Sequence, residues 1–357
     1  MKNLVIRQFV YFLVLNFAVA LTPLTATAQS IDPFENGWTL NGDDSSLRFM
    51  SVKKGNLAES NSFATLSGLI TEDGKAQIRV LMDSVDTKID LRNVRMRFLF
   101  FETFLYPEAT IVTQLDPAIL RDLHSSRRKL IDLDFTLTLH GVTVEKTAEV
   151  AITLINNDRV TVSATKPISL TLAEFNLEGG REKLQDAANV AIVPLGIVSF
   201  DFVFDRASPG TPPDTALVTQ AVVPGAAAIE TKGTLDREAC VGRFEILSRT
   251  GNIYFDTASA RLSDKSIPLL DNVYDIVKRC PDLQIEIGGH TDSDGSKQAN
   301  VRLSERRAGA VGHYLQAKGI KPQRMQIVGY GEERPLFPNT SRANKAKNRR
   351  IEFSVLN

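Results

Sequence analysis

Gly289-His290-Thr291-Asp292-Ser293-Asp294-Gly295 is a short polar loop carrying two carboxylates between glycines. An alternating run precedes it, with Leu283, Ile285 and Ile287 set against Gln284, Glu286 and Gly288, the period of a strand with one buried face. From about Lys297 to Lys318 the pattern turns helical, and Asn300, Leu303 and Arg307 fall at i, i+3 and i+7 on one face. The stretch therefore predicts strand, loop and helix, with Asp292 and Arg307 flanking one small site. A carboxylate accepts hydrogen bonds from an ammonium, and a guanidinium pairs with a carboxylate in a planar fork. A zwitterionic amino-acid end, with both charges on one carbon, suits such a pair. Taken alone, the same loop also fits a solvated turn in which aspartate caps a helix and glycine supplies positive φ.

Outward from this loop, the C-terminal part alternates strand and helix. Strands are expected at 252–256, 283–289, 325–329 and 349–355, and helices at 264–279, 297–318 and 344–348. That order predicts an α/β sandwich with helices over one face of a mixed sheet. The loop, Asn300, Leu303-Ser304-Glu305-Arg306-Arg307-Ala308, Gly329-Tyr330-Gly331-Glu332 and Asn348-Arg349-Arg350-Ile351-Glu352-Phe353 together resemble the OmpA-like peptidoglycan-binding domain. The resemblance runs from roughly Cys240 to Asn357, with the motifs in the family's order. It implies non-covalent binding of peptidoglycan, with Asp292 and Arg307 holding the diaminopimelate of the stem peptide. Asp292 takes the ammonium in this reading and Arg307 the carboxylate. Asn300 and Arg350 are candidates for neighbouring polar contacts, while Arg306, about 100° round the helix, falls outside the site.

The N-terminus reads as a targeting segment. Lys2 and Arg7 accompany an apolar run from Phe9 to Leu21, and Ala26-Thr27-Ala28 is a small-residue cleavage site. Residues 1–28 are therefore expected to be a signal peptide cut before Gln29. The run is shorter than the about 20 residues a membrane span needs, and no cysteine follows it for lipid attachment. The mature chain is expected in the periplasm, associated with the cell wall and outer membrane. Export in turn predicts a disulfide between the only cysteines, Cys240 and Cys280, closing a loop of about 41 residues. Two free buried thiols are the other reading of that pair. No histidine lies at ligand spacing from either cysteine, so no metal site is expected.

Residues 31–205 are mostly β in pattern, with short alternating runs such as Ile131 to Leu137 and Val160 to Ala164. Turn signals at Glu72 to Lys75, His140-Gly141 and Asn156-Asn157-Asp158 separate them, which predicts an antiparallel barrel or sandwich. Leu91 to Phe104 interrupts this pattern with Arg92, Arg95 and Arg97 beside Phe98, Phe100, Phe101 and Phe104, and reads as a short helix or a lid over a barrel end. Trp38-Thr39-Leu40, Ser84 to Asn93, Tyr106-Pro107-Glu108-Ala109, Asp134 to Thr143 and Ala173 to Leu177 resemble the YceI-like family in order. The family's usual Arg-Asp pair stands here as Arg92-Asn93. The resemblance implies a lipocalin-like barrel of eight strands, some members of the family holding a polyisoprenoid inside. Phe98, Phe100, Phe101 and Phe104 are then candidates for lining an apolar ligand site, with plain core as the other reading.

Residues 206–238 carry Pro209, Pro212, Pro213, Pro224 and several glycines and alanines, a composition expected to form a semi-extended tether between barrel and C-terminal domain, the latter spanning 239–357. Two domains fit a chain of 357 residues with ordinary globular composition. From residue 240 onward 19 Lys and Arg face 13 Asp and Glu, too small an excess to select an anionic partner. The four histidines are scattered and no nucleophile elbow, zinc-protease or P-loop motif appears, so neither catalysis nor a cofactor is expected. Balanced charge and export argue against nucleic acid. The chain is thus read as an envelope protein that binds peptidoglycan. Its barrel carries a polyisoprenoid or other apolar ligand, or else serves as an adaptor for an envelope protein. In a further alternative, lipid carriage is the main task and the wall domain merely localises it.

Overall fold

The computed structural model describes residues 32–230, 232–250, 253–256 and 259–356, so the expected signal peptide lies outside the described residues. The first part is built of β1 (Trp38–Leu40), β2 (Ser46–Lys53), β3 (Leu57–Phe63), β4 (Leu66–Ile70), β5 (Lys75–Leu81), β6 (Val85–Asp86) and β7 (Glu108–Gln114). It continues with β8 (Arg128–Leu139), β9 (Val142–Asn156), β10 (Arg159–Ala164), β11 (Ile168–Thr171) and β12 (Leu195–Arg206). Pairing runs β1-β4-β5-β7-β8-β9-β10-β12, and β12 pairs back with β1, closing an antiparallel ring of eight strands. β2 continues from β12 and carries β3 and β6 with it.

Alternation explains the closure. Leu133, Phe135 and Leu137 of β8 and Phe200, Phe202 and Phe204 of β12 recur at every second residue and point into the ring. The β8–β9 hairpin pairs Leu139 with Val142 across His140-Gly141, whose φ values of 51° and 75° are those of a type I′ turn, matched to strand twist.

Helical pieces decorate the barrel. The lid is α1 (Asp90–Arg95), running into one π-helical turn at Met96–Phe100, and short turns α2 (Pro117–Leu120) and α3 (Leu123–Ser126) follow β7. Helix α4 (Glu178–Ala188) leads into β12, and α5 (Ala216–Thr219) lies in the connecting segment.

The C-terminal part contains α6 (Arg237–Thr250), α7 (Ile267–Arg279), β13 (Gln284–His290), α8 (Lys297–Ala317), β14 (Met325–Gly331), α9 (Arg342–Asn348) and β15 (Ile351–Leu356). β13 is the middle strand, parallel to β14 and antiparallel to β15, so the sheet is mixed as expected. The strand expected at 252–256 is not formed: residue 252 is outside the described residues, and Phe255 makes only an isolated bridge to Leu262. Cys240 and Cys280 are joined by a disulfide that ties α6 to the end of α7. By chain-entropy reasoning such a loop is worth about 4 kcal/mol.

Residues 206–238 are not a free tether. Ser67 Oγ donates to the Leu217 carbonyl at 2.8 Å, Arg79 to Gln220 at 2.6 Å and Asn93 to Ile229 at 3.0 Å, and the Gly225 N–H meets Asp83. The segment's backbone offers carbonyls to three barrel donors and an N–H to one barrel carboxylate. Its Glu230 then meets Arg97 of the lid, Arg243 of α6 at 3.5 Å and Arg279 of α7 at 3.8 Å. Arg97 also reaches Asp83 and Asn272 of α7. One buried carboxylate and one buried guanidinium thus join barrel, connector and C-terminal helices.

Candidate functional site

The polar loop sits where β13 hands over to α8. Ser296 caps α8, its side chain accepting from the Ala299 N–H at 3.3 Å. Helix and sheet approach closely because Gly289 has no side chain; a Cβ there would lie 2.1 Å from the Ser304 carbonyl oxygen. Ser304 in turn accepts from the Gly331 N–H at 2.9 Å, and the Thr291 N–H donates to the Gly331 carbonyl at 2.8 Å. The loop is thereby stitched to the end of β14.

Asp292 is 6% exposed. Its Oδ1 accepts from the Asp294 N–H at 3.0 Å, and its Oδ2 accepts from Arg349. Asn300 is also buried; it donates to the Asp292 carbonyl at 3.2 Å and to Glu332 at 2.6 Å. It therefore holds the loop rather than presenting a free amide. Arg307 is half-buried, lies with its guanidinium 5.1 Å from the Phe255 ring centre, and donates to the Ser259 carbonyl at 3.0 Å. Burial lowers its pKa, and so do neighbouring Arg349 and Arg306, against a raising effect from Asp292. Arg307, Arg349 and Asp292 therefore share one electrostatic neighbourhood. Arg306 is exposed.

Arg350 departs from expectation. It is buried and forks onto Glu352 at 2.7 and 3.2 Å, with both terminal nitrogens donating to the Arg334 carbonyl. The residue that reaches the loop is its neighbour Arg349, which follows α9 with ψ of 82° and leaves Arg350 on the other side of the chain. His290 lies beneath the site, stacked on Tyr330 at 5.2 Å between ring centres. Burial, reinforced by Arg350, pushes its pKa down to about 4, with Glu352 opposing, so the imidazole is neutral at neutral pH.

The barrel encloses a cavity of about 520 Å³, within the range of small-molecule sites. Phe100 and Phe101 line it; Phe98 and Phe104 do not, stacking on one another at 6.2 Å within the buried core. The π-helical turn, in which the Phe101 N–H donates to the Met96 carbonyl at 2.8 Å, sets which rings face inward. Asn93, at the family's usual aspartate position, is 2% exposed, accepts from Thr87 at 2.6 and 2.8 Å and supports the lid from behind.

The comparisons agree with both halves. The YceI-like domain model matches residues 38–201 and the OmpA family model matches residues 254–349. The peptidoglycan-associated lipoprotein of Pasteurella multocida is 32% identical over 106 residues, 30% of this chain and 71% of that protein. The peptidoglycan-binding protein ArfA of Mycobacterium tuberculosis is 38% identical over 105 residues, 29% of this chain and 32% of that one. The chain spans about a third of the length of the first curated relatives it matches, outer membrane porin F of Pseudomonas fluorescens among them at 32%. Over the barrel, a polyisoprenoid-binding domain from Saccharophagus degradans is 31% identical, across 47% of this chain and 98% of that one, with a TM-score of 0.44. The chain carries a YceI-like domain over residues 38–201, and through residues 254–349 it belongs to the OmpA family.

Proposed function

We propose that residues 239–357 bind peptidoglycan non-covalently in the periplasm through the diaminopimelate of the stem peptide. Asp292 takes the ammonium and Arg307 the carboxylate. The observation that carries this reading is a nearly buried carboxylate, Asp292, set beside two guanidiniums, Arg349 and Arg307, in the family's loop. The names of the Pasteurella and Mycobacterium relatives support the peptidoglycan part. A lysine stem peptide lacks the side-chain carboxylate, so Arg307 loses its partner. Calorimetric titration of a diaminopimelate stem peptide and its lysine counterpart tests this, with binding of the second weaker by at least tenfold expected. Equal binding would sink the diaminopimelate reading while leaving wall binding open.

For residues 31–205, the cavity favours a container for a polyisoprenoid or other apolar ligand over a filled barrel serving only as an adaptor for an envelope protein. Extraction of the purified chain with organic solvent, followed by mass spectrometry, is expected to release an apolar lipid.

A further inference from the structure

We infer that residues 229–250 form a clasp that holds the barrel's lid shut, so that loosening the clasp opens the way into the cavity. The gate, though not the clasp, rests on the reading of the barrel as a container. The lid divides its side chains between two neighbours. Arg92, Arg95, Met96, Phe100 and Phe101 line the cavity. Leu91, Asn93 and Arg97 meet the clasp instead. The Asn93 amide donates to the Ile229 carbonyl at 3.0 Å, and Arg97 pairs with Glu230. Gly242 brings α6 against Leu91: a Cβ there would lie 3.0 Å from a Leu91 methyl. The clasp is itself fastened to α7, by Arg279 donating to the Gly233 carbonyl at 3.0 Å and by the Cys240–Cys280 disulfide. It falls between the two matched domains, 38–201 and 254–349, so neither family model accounts for it.

Asn93 is the joint. Its Oδ1 accepts from the Thr87 N–H at 2.8 Å, and a backbone N–H can only donate, so the amide has one orientation and its nitrogen faces Ile229. An ionised aspartate, the family's usual residue at this position, would keep the bond to Thr87 but has no proton to give a carbonyl. The chain thus departs from the family's pattern at the residue where lid and clasp are joined, and the departure supplies the donor that the joint needs. The other end of the lid is held by the barrel's own helix α4, where a Cβ on Gly180 would lie 2.6 Å from the Phe100 carbonyl oxygen. Release of the clasp therefore frees α1 about a fixed π-helical end.

Two measurements on residues 29–357 test this: hydrogen exchange read by mass spectrometry, and the entry rate of N-phenyl-1-naphthylamine, a neutral probe that fluoresces in apolar surroundings. Asn93→Asp and Glu230→Gln are each expected to speed exchange of the α1 amides and entry of the probe at least fivefold. The β8 and β9 amides are expected to keep their protection, which reports an intact barrel. Glu230 lies outside the lid, so its effect on α1 passes through the clasp rather than through a weakened lid helix. Unchanged α1 exchange in both variants would overturn the clasp and the gate together. Faster α1 exchange with unchanged probe entry would overturn the gate and leave the clasp standing. A chain that takes up no probe would sink the container reading and the gate with it, while α1 exchange still decides the clasp.

Discussion

Arg349 donates to the Asp292 carboxylate, so the group assigned to a ligand's ammonium already carries a protein cation. The Arg349 side chain is 44% exposed and that of Asp292 8%, so the guanidinium can swing away while the carboxylate stays fixed. Ligand binding is then an exchange of cations on a preset carboxylate. An ion pair with one exposed partner is worth about 0.2–1 kcal/mol. Arg349→Ala is therefore expected to tighten binding of the diaminopimelate stem peptide by up to about fivefold and to lower the melting temperature slightly. Calorimetry measures both, and weaker binding would instead make Arg349 a ligand contact.

His290 sets an acid limit. Its folded pKa of about 4 lies below the ordinary value of 6.5, so the unfolded chain binds the proton more readily. Stability contributed by the neutral ring is fully present above about 6.5 and is lost as pH falls toward about 4. Chemical denaturation at a series of pH values is expected to show this slope, and His290→Gln is expected to flatten it. Aspartate and glutamate titrations act mostly below that window, which keeps the two separable.

Gly289 should not tolerate a side chain. A Cβ 2.1 Å from the Ser304 carbonyl forces α8 off β13. Gly289→Ala is expected to cost about 1–3 kcal/mol in a denaturant titration and to weaken peptidoglycan binding with it.

Glu230 holds the two halves together. Glu230→Ala leaves Arg97, Arg243 and Arg279 without their shared carboxylate. Breaking a buried ionic cluster at one partner costs about 3–5 kcal/mol, here mostly at the junction. The variant is expected to show a larger radius of gyration by small-angle scattering and faster proteolysis within 206–238.

The sequence announced most of this architecture. Strand alternation in β8 and β12, the His140-Gly141 turn and the loop at Asp292 are local signals, and each is found where its residues place it. What escaped are relationships that local patterns do not encode. The composition of 206–238 says that it lacks a core of its own, but Glu230 meets Arg97, which is distant in the chain. Arg349 and Arg350 are adjacent in the same motif, and only the backbone turn after α9 decides which one reaches Asp292. In the lid, one π-helical turn replaces ordinary helical spacing, sending Phe100 and Phe101 inward and leaving Phe98 and Phe104 in the core.

Co-sedimentation of residues 29–357 with purified diaminopimelate-type peptidoglycan, beside Asp292→Ala and Arg307→Ala, tests wall binding most directly. The expected result is a wild type that pellets with the polymer and two variants that stay in the supernatant while remaining folded by circular dichroism. A wild type that stays in the supernatant, or variants that pellet as well as it does, would contradict the assignment of Asp292 and Arg307 to the ligand.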